Sequence, residues 1–211
     1  MKLYGFPNSP HTWKVRALAA HLGVPLEHVY VDLLKGENKT PEFLALAPSS
    51  RLPVMVDGDL TLWESNAMLQ YVASLKPTPL YPDDARLRAE ITNWLCWHGH
   101  HWSRACEPLL FENIVKELYA IGLPDPKAVA AAEQTFAVEA RVLDLHLMKR
   151  AYLVGGNLTI ADLAVASYLF HTERGRLPVA PHEHVRRWFG TVSALPAWKE
   201  TAPGPVTPRK A

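Results

Sequence analysis

The chain has 211 residues, enough at roughly 150 per domain for one large or two small units. Its 22 basic and 21 acidic side chains leave a net charge of +1, balanced on both sides of Pro79: seven against seven before it, fifteen against fourteen after. Neither half carries the cationic excess that a phosphate backbone or an anionic membrane demands, so neither nucleic acid nor membrane is an expected partner. With 48% hydrophobic and 20% charged residues the chain is expected to fold around a sizeable core.

At the N-terminus, Pro7 and Asn8 fall where a secretion signal needs unbroken apolar sequence. The longest apolar run, Ile160 to Phe170, is interrupted by Asp162 and is too short to cross a bilayer. Cys96 and Cys106 are the only cysteines, with neither zinc-site spacing nor a disulfide framework, so a reducing cytoplasm is the expected compartment.

Lys2 to Phe6 reads as a short strand. Val15, Leu18, Ala19 and Leu22 then recur at i, i+3, i+4 and i+7, one face of a helix that Gly23 ends. Leu26 to Val31 reads as a second strand and Thr40 to Leu46 as a short helix. Val54–Val56 and Leu60–Trp63 flank Asp57-Gly58-Asp59, a hairpin signal, and Ser65 to Ser74 closes the unit as a helix. The order βαβαββα predicts a mixed sheet with helices packed on it, over residues 1–76.

Three prolines between Lys76 and Pro82 make 77–84 a linker. From 85 to 211 the pattern is all-helical. Leu87, Ile91, Trp94, Leu95, His98 and Trp102 mark one stripe; Val129, Ala132, Phe136, Ala140, Leu143 and Leu147 mark another. Thr159 with Asp162 three residues on is a capping box, opening a helix apolar nearly all round and therefore expected at the centre of the bundle. Pro203 to Ala211 reads as a loose tail.

Ser9 precedes Pro10, a residue suited to the first helical position, which makes Ser9 a helix N-cap where backbone N–H groups and the dipole favour negative charge. Three stretches give this position further meaning: Asn8-Ser-Pro-His-Thr-Trp-Lys-Val-Arg16, Ser50-Arg-Leu-Pro-Val-Met-Val-Asp-Gly58 followed by Glu64-Ser65, and Leu158-Thr-Ile-Ala-Asp162. In this order the chain resembles a cytosolic glutathione transferase of the serine type, theta- or zeta-like or a bacterial relative. The resemblance implies an α/β thioredoxin-like domain followed by an all-α domain. It also implies glutathione as co-substrate without a metal, a small hydrophobic electrophile, a homodimer and a role in detoxification.

On that resemblance, Ser9 is the catalytic residue. Its hydroxyl and the helix dipole would both favour a glutathione thiolate, the nucleophilic form. Thr12 and His11 remain open as alternative or supplementary donors, while Phe6 lacks the hydroxyl of tyrosine-type members. Glu64 and Ser65 would take the ammonium and carboxylate of the γ-glutamyl group, the latter with helix N–H groups. Leu52, before a cis Pro53, would offer its backbone to the cysteinyl part, and Asn38 and Arg51 would contact the glycine end. Two departures stand out: Ala47 where relatives usually carry Asn, and Ser49-Ser50 in place of a glycine-containing turn.

Trp97, His101 and Arg104 are the expected lining of the electrophile pocket, with Trp94, His98 and Trp102 facing the bundle. His98 and His101 lack the carboxylate partner of a zinc motif, so no metal site is expected. The leading reading is conjugation of the thiolate to the electrophile. Glutathione-dependent isomerisation, dehalogenation or peroxide reduction, and a non-catalytic scaffold, are the alternatives.

Overall fold

A computed structural model describes residues 1–202 and Gly204, so the expected tail lies, but for Gly204, outside the described residues. The first half contains β1 (Lys2–Gly5), α1 (Pro10–Leu22), β2 (Glu27–Tyr30), α2 (Pro41–Leu46), β3 (Val54–Asp57), β4 (Leu60–Leu62) and α3 (Ser65–Ser74). The four strands lie in the order β2-β1-β3-β4, with β1 parallel to β2 and the other two pairs antiparallel. This is the mixed sheet of a thioredoxin-like domain.

Alternation along the strands divides their side chains between two cores. Leu3 and Met55, opposite one another, face α1 and α3 and join Leu18, Met68 and Val72. Val54 faces the other way with Phe43 of α2, Val31 and Ala47, and Tyr4 packs against that cluster. Gly5 is required where β1 passes under α1, because a Cβ there would sit 2.6 Å from Thr12. Thr12 is therefore buried against the strand.

The second half opens with one continuous helical rod: α4 (Ala85–Trp97), a π turn (His98–Trp102), α5 (Ser103–Leu110), a second π turn (Phe111–Val115) and α6 (Lys116–Tyr119). The wider turns were not expected from the sequence. Pro108, which has no N–H to give, sits inside α5, shortly before the second of them. α7 (Pro126–Leu147) packs along α5 and buries Ala132, Phe136, Ala140, Leu143 and Leu147, the anticipated stripe except for Val129, which is half-buried at its start.

α8 (Ile160–Ala166) is buried at all seven positions and touches α1, α3, α4 and α10 (Glu183–Ser193). The capping box is present: Asp162 accepts from the Thr159 N–H and hydroxyl, and also from Leu153 N–H and Trp188 Nε1. α9 (Thr172–Gly175) follows α8, and α11 (Pro196–Glu200) returns the chain to the first half, where Trp198 packs on Trp13. One core thus runs through both halves. Among the described residues no helix is long and apolar enough to cross a membrane.

Candidate functional site

A cleft of about 1750 Å³ opens between the two halves. Its sheet-side wall is built from two helix starts and a loop: the N-terminus of α1, the N-terminus of α3, and the segment from Ser50 to Pro53. Ser9, His11, Asn38, Arg51, Leu52, Pro53, Glu64 and Ser65 all line it, together with Arg104 from the opposite wall.

Ser9 is the N-cap of α1, and its side chain makes no capping bond. The hydroxyl thus stays free at the positive end of a 13-residue helix, facing the cleft. At α3 the cap is Glu64 rather than Ser65, and Glu64 also makes no side-chain cap bond and lies exposed. Ser65 is instead the first helical residue, buried, with its backbone N–H among those a helix start leaves unpaired.

The Leu52–Pro53 peptide is cis. Just before it, Ser50 adopts φ 58°, the left-handed region that favours glycine. Asn38 holds it there: Asn38 Nδ2 donates to Ser50 O at 2.8 Å and Oγ at 3.0 Å, and Ser50 Oγ donates back to Asn38 O at 2.8 Å. These reciprocal bonds explain how a serine keeps a conformation that favours glycine. They also give Asn38 a task other than touching a ligand directly.

His11 is bound on both sides rather than solvated. Its Nδ1 lies 3.1 Å from Ser65 Oγ, and its Nε2 lies 3.1 Å from Glu107 Oε1 and 2.9 Å from the Tyr168 hydroxyl. Tyr168 also donates to Glu107 at 2.7 Å. Burial keeps the His11 pKa below its usual value despite Glu107. Burial pushes Glu107 up, but the His11 and Tyr168 bonds and the Arg51 charge outweigh it and hold the carboxyl below its ordinary range.

Behind this cluster Lys14 is fully buried and donates to Asn66 Oδ1 at 2.6 Å; burial depresses its pKa to about 7, with Glu64 acting the other way. Asn66 in turn donates to Leu95 O and contacts His98 Nδ1.

The helical wall follows the rod at positions including Thr92, Cys96, Gly99, Ser103, Glu107 and Phe111. Trp97 and His101 lie outside this stripe. A residue advances about 100° around a helix, so the position after Cys96 already turns toward α7. There Trp97 Nε1 donates to Glu139 at 3.1 Å and stacks on Trp102, and His101 Nδ1 sits 3.7 Å from the same carboxylate. Of the three expected pocket residues only Arg104 reaches the cleft, whose farther wall is formed by apolar side chains such as Leu110, Ile114 and Leu118. Trp94, His98 and Trp102 are buried as expected, although His98 also touches the cleft.

Sequence reasoning missed Glu107, Tyr168, Lys14 and Asn66. A lysine on the buried face of α1 was a usable signal, because a buried cation needs a partner. Nothing local marks Glu107 or Tyr168, whose partners lie 96 and 157 residues away.

Residues 1–74 match the family model described as Glutathione S-transferase, N-terminal domain, and residues 110–196 the one described as Glutathione S-transferase, C-terminal domain. Glutathione S-transferase 3 of Zea mays is 36% identical over 208 residues, covering 95% of this chain and 92% of the relative. Glutathione S-transferase theta-1 of Mus musculus is 31% identical over 175 residues, covering 81% and 73%. Among solved structures, glutathione transferase F7 from Populus trichocarpa superimposes with a TM-score of 0.88 at 28% identity, covering 95% of this chain and 97% of its own.

Proposed function

The chain belongs to the glutathione S-transferase family, and from that premise we propose that it activates the glutathione thiol as a thiolate at Ser9 and adds it to a small apolar electrophile. The observation that carries this reading is the uncommitted Ser9 hydroxyl at the α1 N-terminus, open to the cleft. A thiolate there accepts the hydroxyl hydrogen bond and sits on the helix dipole; both lower the thiol pKa, so more of the nucleophile exists at neutral pH. Ser9 donates to the sulfur and forms no covalent bond itself.

The remaining contacts follow from the same wall. The α-carboxylate of the γ-glutamyl group fits the unpaired N–H groups of the α3 start, beside Ser65, with Glu64 available to the ammonium. Leu52, turned by the cis bond to Pro53, offers its backbone to the cysteinyl part, and Arg51 its charge to the glycine carboxylate. Asn38 serves this end by holding Ser50. Thr12, buried against Gly5, is withdrawn from the sulfur's reach.

The electrophile takes the apolar helical wall, with Arg104 at its edge. We place the serine-type chemistry in a cytoplasmic homodimer acting in detoxification, with domains 1–76 and 85–211 about a linker at 77–84. The exposed Val138, Val142 and Leu145, in step along α7, give a second copy an apolar stripe to cover.

The test is steady-state turnover of 1-chloro-2,4-dinitrobenzene with glutathione. Ser9→Ala is expected to lower kcat/KM by about 100-fold, the usual cost of removing one donor to a reacting anion, while the protein is still retained on immobilised glutathione. Unchanged turnover would take the catalytic role from Ser9.

A further inference from the structure

We propose that Glu107 and Tyr168, both from the helical domain, act through His11 as positioning residues for the γ-glutamyl carboxylate of glutathione, with proton uptake by the His11 ring as the coupling. The inference rests on the reading of the cleft as a glutathione site and adds a control of that site by the opposite domain.

The hydrogen-bond inventory fixes the resting state. An ionised Glu107 can only accept, so His11 Nε2 carries the ring proton toward Oε1 at 3.1 Å, and the Tyr168 hydrogen, which could also go to Ser103 Oγ at 3.1 Å, is drawn to the charged oxygen at 2.7 Å. A neutral ring then has a bare Nδ1, and the Ser65 hydroxyl donates to it at 3.1 Å. In this state Ser65 turns its only hydrogen toward His11 and presents lone pairs elsewhere. A carboxylate arriving at the α3 N-terminus would meet an acceptor.

Ser65 becomes a donor to that carboxylate once Nδ1 also carries a proton and donates to Ser65 Oγ. The ring is then an imidazolium, with Nε2–H still on Glu107. The Glu107 charge stabilises this form, and Tyr168 holds the carboxylate in line. The proton comes from solvent and stays on Nδ1; no covalent bond changes in the ligand.

The charges around His11 bear on the balance from every side. On α1 itself Lys14 opposes protonation; Glu64 at the start of α3 favours it. On the rod, His98 packs edge-on 5.8 Å from His11, its own pKa held well down by burial, and Glu107 favours the cation. Tyr168 follows α8 and stays protonated because burial raises its pKa; Glu107 is held ionised by its His11 and Tyr168 bonds, to which the charge of Arg51, on the loop before β3, adds. The resting His11 pKa lies below its usual value, and anion binding raises it. Affinity therefore rises as pH falls through the window between the two values, and levels off below it.

The experiment is calorimetric titration with S-methylglutathione, which has no thiol proton, at pH 6.5 in two buffers of different ionisation enthalpy. The wild-type protein is expected to take up a measurable fraction of one proton per ligand bound. Glu107→Gln should abolish the uptake and weaken Kd about tenfold, equivalent to about 1.4 kcal/mol. Tyr168→Phe, a milder change should the first variant fold poorly, should keep the uptake and weaken Kd about threefold, as loss of one hydrogen bond does. An unaltered Kd in Tyr168→Phe, or uptake surviving Glu107→Gln, overturns the proposal. Wild-type binding without uptake overturns the coupling and leaves the glutathione site standing, whereas no binding removes the glutathione reading itself.

Discussion

The sheet-side wall of the cleft presents main chain and helix starts, whereas the helical wall presents side chains carried along a rod. On the first, Ser9, Ser65 and the Ser50–Pro53 loop are placed by caps, a cis peptide and a pair of reciprocal bonds. Apart from the Asn38–Ser50 bonds, which join residues 12 apart, such features depend on a few adjacent residues. On the second, which residue faces the cleft depends on the rotation accumulated over the rod, and its two π turns alter that rotation. One wall suits a ligand of fixed chemistry recognised by backbone groups; the other suits an apolar ligand recognised by shape. The lesson is that local motifs determine the first wall and long-range packing the second.

If that is right, the largest single effect on the helical wall comes from a residue outside it. Asp162 is fully buried and accepts from four donors, so its loss leaves buried N–H and O–H groups unpaired at the junction of α8, α10 and the preceding loop. Asp162→Ala is expected to cost about 3–5 kcal/mol of stability, measured by urea unfolding. A loss below about 1 kcal/mol would mean that the bundle is held by apolar packing alone and does not depend on one polar junction.

The sheet-side wall allows a finer test. Asn38→Ala removes the bonds that keep Ser50 left-handed, a conformation that costs a non-glycine residue about 1–2 kcal/mol. Glutathione affinity, read by calorimetry, should fall about fivefold, in line with about 1 kcal/mol. Adding Ser50→Gly should restore it, because glycine takes that φ without a partner. Failure of the double variant to recover would show that Asn38 touches the ligand itself rather than acting through the loop.

The same division explains what was legible. The βαβαββα order, the Asp57-Gly58 hairpin, the α7 stripe and the Thr159–Asp162 box are short-range patterns, and the structure contains each. Ser9, Asn38, Arg51, Leu52, Pro53, Glu64 and Ser65, which line the sheet-side wall, were legible through the family resemblance that three short stretches carry, whereas Asn66 was not. The Asn38–Ser50 clamp was visible only as its symptom, a serine where a glycine was expected. Glu107 and Tyr168 reach His11 from distant parts of the chain, and no periodicity reports such a meeting.

The smallest expected effect separates the two faces of the rod. His101 and Arg104 are three residues apart, yet Arg104 lines the cleft while His101 turns to Glu139 on α7. His101 is more than half exposed and its partner lies at 3.7 Å, a surface contact that contributes at most about 1 kcal/mol. His101→Ala should therefore leave both stability and the ranking of a panel of electrophiles unchanged to within about twofold in kcat/KM, or about 0.4 kcal/mol. Arg104→Ala should reorder the panel, with electrophiles bearing an anionic group losing most. A larger reordering by His101→Ala than by Arg104→Ala would place the electrophile on the α7 side of the rod, and the helical wall would have to be redrawn around Trp97.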